Sequence, residues 1–477
     1  MNPWTRRQFL SRSGAVSLAG LFPWRGWKVP GRVSERDLLS LSDFLIENDR
    51  DAVLARIAAF AGQGWTRDEL LGAIFLAGLR EVNPDPCGFK FHCVMVSHSA
   101  ALLADTAPAA EALLPVLFNA SDFKHSQERD RREGDFRLVA APEPQAGTLD
   151  ELVDALRLGL EDWSADACDR AATGAARHVT EATVLDRLFD GLWVHGMRDF
   201  HNLGHKIIFV AQTYRMLRRL PRPALAEPAL RSLCKALLIG GGEEARIGSP
   251  QSHALAREPK KAWRGDAASD PEHAIEVLRI LRSVKQGEGG AAIAELLEDG
   301  ASPAAVWDGY RLFAAEQHLH APGLLAVHPL TTINASRFAA ERALDPVKRR
   351  FLLLQTAEWQ VAYRRSFTDG KPAGLAIDAL EPGDAIGAER LLETKSRLKT
   401  IPQALHVAKH PRGARSLMSA LSSRVRRKGD EHHYHKYIAA VDEERGLMHP
   451  ALAPHLLAAS VCYVPGPSAR DTDFARH

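Results

Sequence analysis

Residues 205–220 read HKIIFVAQTYRMLRRL, with Ile207, Val210, Tyr214 and Leu217 set three, four and three positions apart. That spacing collects the apolar side chains into one stripe along a helix. The same period recurs in Asp51 to Phe60, Arg67 to Leu79, Leu149 to Leu160, Ala182 to Leu192, Pro271 to Arg282 and Pro346 to Ala362. Strand-like alternation is scarce. Glycine and proline punctuate the pattern at Asn83 to Pro86, Ala141 to Gly147, Gly240 to Gly242 and Gly287 to Gly290. The expected fold is mainly α, with packed helix pairs forming a large helical domain.

A faint repeat overlies this pattern. Gly64-Trp65-Thr66 leads through Pro86 to His92, and Gly300-Ala301-Ser302 leads through Pro322 to His328, each matched pair 236 positions apart. Thr66 and Ser302 stand where a helix N-cap is wanted, and each histidine opens or enters the next helix. Two pseudo-repeated halves, about 31–240 and 260–477, would then each present one histidine. Chance matching of common residues is the competing explanation.

Thr5-Arg6-Arg7-Gln8-Phe9-Leu10, followed by the weakly apolar Gly14 to Phe22, has the order of a twin-arginine export signal. Residues 1–30 are read as that segment and 31–477 as the helical, metal-binding catalytic domain. The apolar run is about half the ~20 residues of a spanning helix. No small-x-small cleavage site stands out before Val29, so the signal could remain as a tether on the far side of the membrane. The expected location is periplasmic or extracytoplasmic, with the export machinery as partner and no stable protein partner beyond it.

The net charge of +2 is spread over interspersed acids and bases, which gives no footprint for nucleic acid. The run Arg424 to Lys428 is read as a solvated loop rather than a binding patch. Five scattered cysteines do not spell a disulfide framework and are expected to be mostly free, buried thiols.

Chemistry concentrates in the twenty histidines. His201 and His205 lie four apart, a spacing that on a helix shares one face and can bind a metal. His328, followed by Pro329, reads as the residue just before a helix, where the positive helix end keeps an imidazole neutral. The densest group is Glu431-His432-His433-Tyr434-His435-Lys436-Tyr437, at the head of a helix, with His433 and Lys436 on one face. A lysine among imidazoles either stays outside the ligand set or is modified, and carbamylation would turn it into a carboxylate-like ligand. His92 sits in apolar company, where a lone histidine is more often a satisfied core residue than a ligand, and its match to His328 shifts that balance. There is no HExxH, GxSxG, P-loop, GxGxxG or CxxCH motif.

Several segments resemble the questin-oxidase-like family and its bacterial twin-arginine-exported relatives. They are Gly88-Phe89-Lys90-Phe91-His92, Asp122 to Gln127, Asp199 to Phe209 around Gly204-His205-Lys206, Leu325 to Thr332 around His328, His433-Tyr434-His435-Lys436 and Met448-His449-Pro450. The family comprises mostly helical oxygenases, interpreted as non-haem iron enzymes, that open rings of anthraquinone-type substrates. The resemblance implies His92, His205, His328 and His433 as ligands of ferrous iron, with carbamylated Lys436 as the fifth and His435 as an alternate. It implies a small aromatic or polycyclic substrate. Asp122, Lys124, Thr332 and Asn334 are the substrate or ligand-supporting candidates, and Phe89, Phe91, Phe209 and Trp359 the expected pocket walls. A zinc-dependent hydrolase using the same histidines, and a non-catalytic helical scaffold whose histidines lie far apart, are the rival readings.

Overall fold

The structure is a computed structural model that describes residues 33–240, 250–265, 267–368 and 374–475. Residues 1–30, which the sequence reads as an export signal, lie outside the described residues. Among the described residues there are 23 α-helices and no strand, joined by short loops and 3-10 turns. None of these helices is long and apolar enough to cross a membrane.

Periodic segments become helices close to where the sequence places them. Arg50–Gly62, Arg67–Glu81, Leu149–Glu161, Ala182–Asp190, His205–Arg219, Pro271–Ser283 and Pro346–Thr368 form as expected. Their starts are chemically marked. Thr66 accepts from Glu69 N while the Glu69 carboxylate returns to Thr66 N, a reciprocal cap, and Ser302 caps Pro303–His320 through Ala305 N. Gly64 and Gly300, the first residues of the two repeated motifs, both take left-handed φ values, of 92° and 115°.

Adjacent helices are laid side by side: Leu149–Glu161 on Ala165–Ala176, Pro271–Ser283 on Pro303–His320, and Leu324–Arg342 on Pro346–Thr368. Their apolar faces merge into one connected core that runs from Leu38 to Phe474. Leu324–Arg342 is the central member, touching His205–Arg219, Pro303–His320, Pro346–Thr368 and His432–Arg445. Helices that carry three of the candidate ligands therefore meet on one axis.

Three local expectations are corrected. Arg424 to Lys428 is not a solvated loop but the last turn of the helix Pro411–Lys428. There Arg424 binds Leu392 O and Glu393, Arg426 binds Glu111, Arg427 binds Asp471 and Lys428 binds Ala469 O. His201 and His205 do not share a helix, because a 3-10 turn, His201–Gly204, ends in a left-handed glycine before His205 opens its own helix. His328 does not precede a helix; it is the fifth residue of Leu324–Arg342, and Pro329 lies inside that helix.

Candidate metal centre

His92, His205, His328 and His433 converge. One ring nitrogen from each lies within 4.8 Å of the others, and all four side chains are buried, with residue exposures of 1–3%. His205 Nε2 stands 2.9 Å from His92 Nε2 and 3.1 Å from His328 Nε2. Two donors each ~2.1 Å from one ion and at right angles to each other are ~3.0 Å apart, so this spacing suits shared ligation. Four buried histidines placed in this way could hold a metal ion.

Each position has a local cause. Gly88 takes φ 128°, and the turn Phe89–Phe91 then hands His92 to the short helix His92–Met95. A Cβ on Gly88 would lie 2.8 Å from His205 Nδ1, so the missing side chain lets the two segments meet. On the other side of His205, Gly204 at φ 80° sits against Thr332, where a Cβ would come within 2.4 Å of Oγ1. His328 depends on its neighbour: Pro329 has no N–H for the carbonyl four residues back, and that carbonyl, Leu325 O, receives His328 Nδ1–H at 3.3 Å instead. Glu431 caps the helix His432–Arg445 through His433 N and also accepts from His433 Nδ1 in a very short contact.

These partners fix the tautomers. His92 Nδ1 faces the Phe89 carbonyl at 2.6 Å, His328 Nδ1 faces Leu325 O and His433 Nδ1 faces a carboxylate. All three acceptors require a proton on Nδ1, which leaves the Nε2 lone pairs of His92, His328 and His433 directed inward. His433 Nε2 is buried with no hydrogen-bond partner among the described residues. Burial holds the His92, His328 and His433 rings well below the usual imidazole range, and the nearby Lys436 cation adds to the effect at each. Neutral imidazole is the ligating form.

Lys436 lies on the His433 side of its helix, and its Nζ is buried with no hydrogen-bond partner among the described residues. Burial pushes the amine down to about 8, against the weaker opposing pull of Glu431, Cys87 and Asp122. His435, the alternate ligand, is not brought to the centre: its ring stacks on Phe118 at 3.6 Å, and its Nε2 faces Gly429 O.

The other candidates divide. Thr332 stays beside the centre, one helical turn beyond His328, with Oγ1 unpartnered among the described residues. Asp122 reaches it indirectly: its Oδ1 is 3.2 Å from Nδ1 of His432, whose ring stacks on His92 at 4.2 Å. Lys124 is spent elsewhere, donating to Leu45 O, Ile46 O and Gln127 at the end of the helix Glu35–Glu47. Asn334 joins an ion network, accepting from Arg215 and donating to Glu443 and Glu444. Phe91 and Phe209 meet edge to face, Trp359 stacks on Tyr363, and Phe89 turns outward at 55% exposure.

Two residues that the sequence placed in its densest group without giving them a role complete the site. Glu431 and His432 form a second close group with His433. A surface cleft of about 340 Å³ is lined by Phe118, Asp122 and His125 with Arg50, Lys428 and the segment 469–474. Through Asp122 and His432, that cleft is two side chains from His92.

No family model, curated protein or solved structure matches the chain.

Proposed function

We propose that the chain is a metal-dependent oxidoreductase, a non-haem iron oxygenase acting on an aromatic or polycyclic small molecule. The observation that carries this reading is the convergence of three inward Nε2 lone pairs with His205, each oriented by an acceptor on the far side of its ring. Such outer partners are what metal-ligating histidines have, and what separates these rings from a core histidine such as His435, whose Nε2 also faces a carbonyl, is that their other nitrogens meet at one place. The choice of iron and of an aromatic substrate rests on the resemblance of the motifs to questin-oxidase-like proteins. His92, His205, His328 and His433 would hold the ion, and bound ferrous iron would supply oxygen activation with one or two positions left open.

The chain's own residues do the rest. Glu431, Phe89 O and Leu325 O hold three rings in one tautomer. Burial excludes water from the ligand set. Lys436, with an amine brought down to about 8, is neutral in a useful fraction at ordinary pH. That form can attack carbon dioxide through nitrogen and release a proton, which would make a carbamate oxygen the fifth ligand. The first 30 residues are assigned as a twin-arginine signal, and a site built from positions 92 to 433 exists only after folding. Its metal is then best inserted before export.

Zinc is the second reading, favoured by the same four neutral nitrogens. Elemental analysis and oxygen consumption of protein isolated in its native state separate the two. Iron near one equivalent per chain, with oxygen uptake on an electron-rich aromatic and loss of metal in His205→Ala, is the expected result. Stoichiometric zinc without iron-dependent oxygen uptake overturns the oxygenase, and full metal content in His205→Ala overturns the ligand set.

A further inference from the structure

The four rings of the centre are 1–3% exposed, so an ion reaches them only past the residues that cover them. His432 is one such residue. Its ring lies nearly parallel on that of His92, with centroids 4.2 Å apart, and 4.5 Å from that of His433. Its side chain keeps 19% exposure and stands between two carboxylates, with Nδ1 3.2 Å from Asp122 Oδ1 and Nε2 3.2 Å from Glu431 Oε1. Asp122 in turn lines the cleft of about 340 Å³, and its other oxygen, Oδ2, is buried with no hydrogen-bond partner among the described residues.

We infer that Glu431 and His432 form an entry site, which takes a hydrated divalent transition-metal ion from the cleft and passes it to the four-histidine set. The inference rests on that set being a metal site. A neutral imidazole has one N–H and one lone pair, so whichever nitrogen of His432 carries the proton, the other turns a lone pair towards a carboxylate oxygen. A positive charge between the two makes that contact favourable. Glu431, His432 and His433 each offer a ligand atom within 4.8 Å of the others, and His433 is also a member of the inner group, so the two sets are contiguous.

The two sets differ in the direction that transfer needs. Outside, the ion meets one carboxylate and one imidazole at partial exposure, and Glu431 is the N-cap of His432–Arg445, where the positive helix end opposes a resident cation. Inside, it meets four buried imidazoles, a donor set that suits a first-row divalent ion. The outer site therefore holds an ion weakly, with water completing its shell, and the inner site holds it firmly. Glu431 serves the passage without releasing His433, since a carboxylate has about four lone-pair positions. The only bonds made and broken are those between metal and ligand, and the ion keeps its charge.

The test strips the full chain with chelator and mixes it rapidly with cobalt(II), whose visible absorption reports entry into an imidazole site; excess chelator then follows release. His432→Phe keeps a ring on His92 but removes both nitrogens. Raising the barrier of a passage slows entry and exit by one factor and leaves the end states alone, so both rates should fall about tenfold with an unchanged dissociation constant. Loss of a merely structural partner would instead lower affinity ~10–100-fold. Asp122→Asn, a near-isosteric change at the cleft wall, should slow both rates in the same way, and it carries the test if the Phe variant does not fold. Wild-type rates in these variants, or weakened affinity with unaltered entry, overturn the entry site alone. Failure of the unaltered chain to take up one equivalent of cobalt, or full uptake by His205→Ala, overturns the four-histidine ligand set and the entry site with it.

Discussion

A single hydrogen in place of a methyl sets the approach of two parts of the four-histidine cluster. Gly204 holds φ 80° immediately before His205, and its Cα faces Thr332 Oγ1. An alanine would carry the left-handed penalty of roughly 1–2 kcal/mol and would also collide with that hydroxyl. Gly204→Ala is therefore expected to destabilise the fold by at least that much and to weaken metal binding by displacing His205. Adding Thr332→Ala should relieve the collision but not the backbone penalty, so recovery should be partial. Denaturant unfolding and metal titration of the three variants check this, and Gly204→Ala with unaltered stability and affinity contradicts it. Glu431 makes the complementary point: one carboxylate serves as helix cap and as acceptor for His433 Nδ1, so start of helix and aim of ligand are one feature.

Within the helix Leu324–Arg342, a proline works by what it lacks. Pro329 donates no backbone hydrogen, so the Leu325 carbonyl is left for His328. Pro329→Ala restores the backbone donor, which should hold or raise thermal stability while releasing His328 Nδ1 from its acceptor. Lost outer partners of this kind lower metal affinity ~10–100-fold. Stability and affinity moving in opposite directions is the expected signature, and a parallel change in both would refute the mechanism. The same helix is tied to its neighbours by charge. Glu444 on His432–Arg445 accepts from Arg311 at 2.7 Å, Arg337 at 3.0 Å and Asn334 at 2.7 Å, and Arg311 also meets Asp308, which receives His449 N–H. Burial alone would raise the Glu444 carboxyl, but Arg337 and Arg311 more than reverse this and hold it at about 2. Because the folded value lies below an unfolded value of ~4.3, the contribution is present above that pH and lost as pH falls towards 2, amounting to about 3 kcal/mol. Glu444→Gln should flatten stability in that acid window. It should also cost stability at neutral pH, though less than the ~3–5 kcal/mol of a fully unpaired buried charge, since Arg311 keeps Asp308 and Arg337 keeps Glu341. Unfolding free energies measured across pH 2–6 decide it.

Across the whole molecule, legibility followed amphipathicity. Leu149–Glu161 and Pro271–Ser283 have one buried stripe and could be read off the spacing, whereas Leu324–Arg342 is buried nearly all round and carries a proline, so no period marks it. Arg424 to Lys428 looks like surface because its charges are satisfied only by residues distant in sequence. The histidines were visible as candidates for the same reason that their outer partners were not: residue type is written in the sequence, but a carbonyl freed by Pro329 or a glycine admitting His205 exists only in three dimensions. Lys124 and Asn334 show the limit from the other side, since polar residues within familiar-looking motifs can serve a helix end or an ion network. An ion held by positions 92, 205, 328 and 433 would join four separate stretches of one connected core. An unfolded chain cannot present that set, so binding free energy adds to folding free energy, by ~2.7 kcal/mol when free metal is 100 times its dissociation constant. Metal-stripped protein should therefore melt lower than the loaded form, regain the difference on adding back ferrous iron or zinc, and respond far less when His205 is alanine. Identical melting with and without metal, at concentrations where elemental analysis finds the ion bound, would mean that it sits on the surface and not among these four rings.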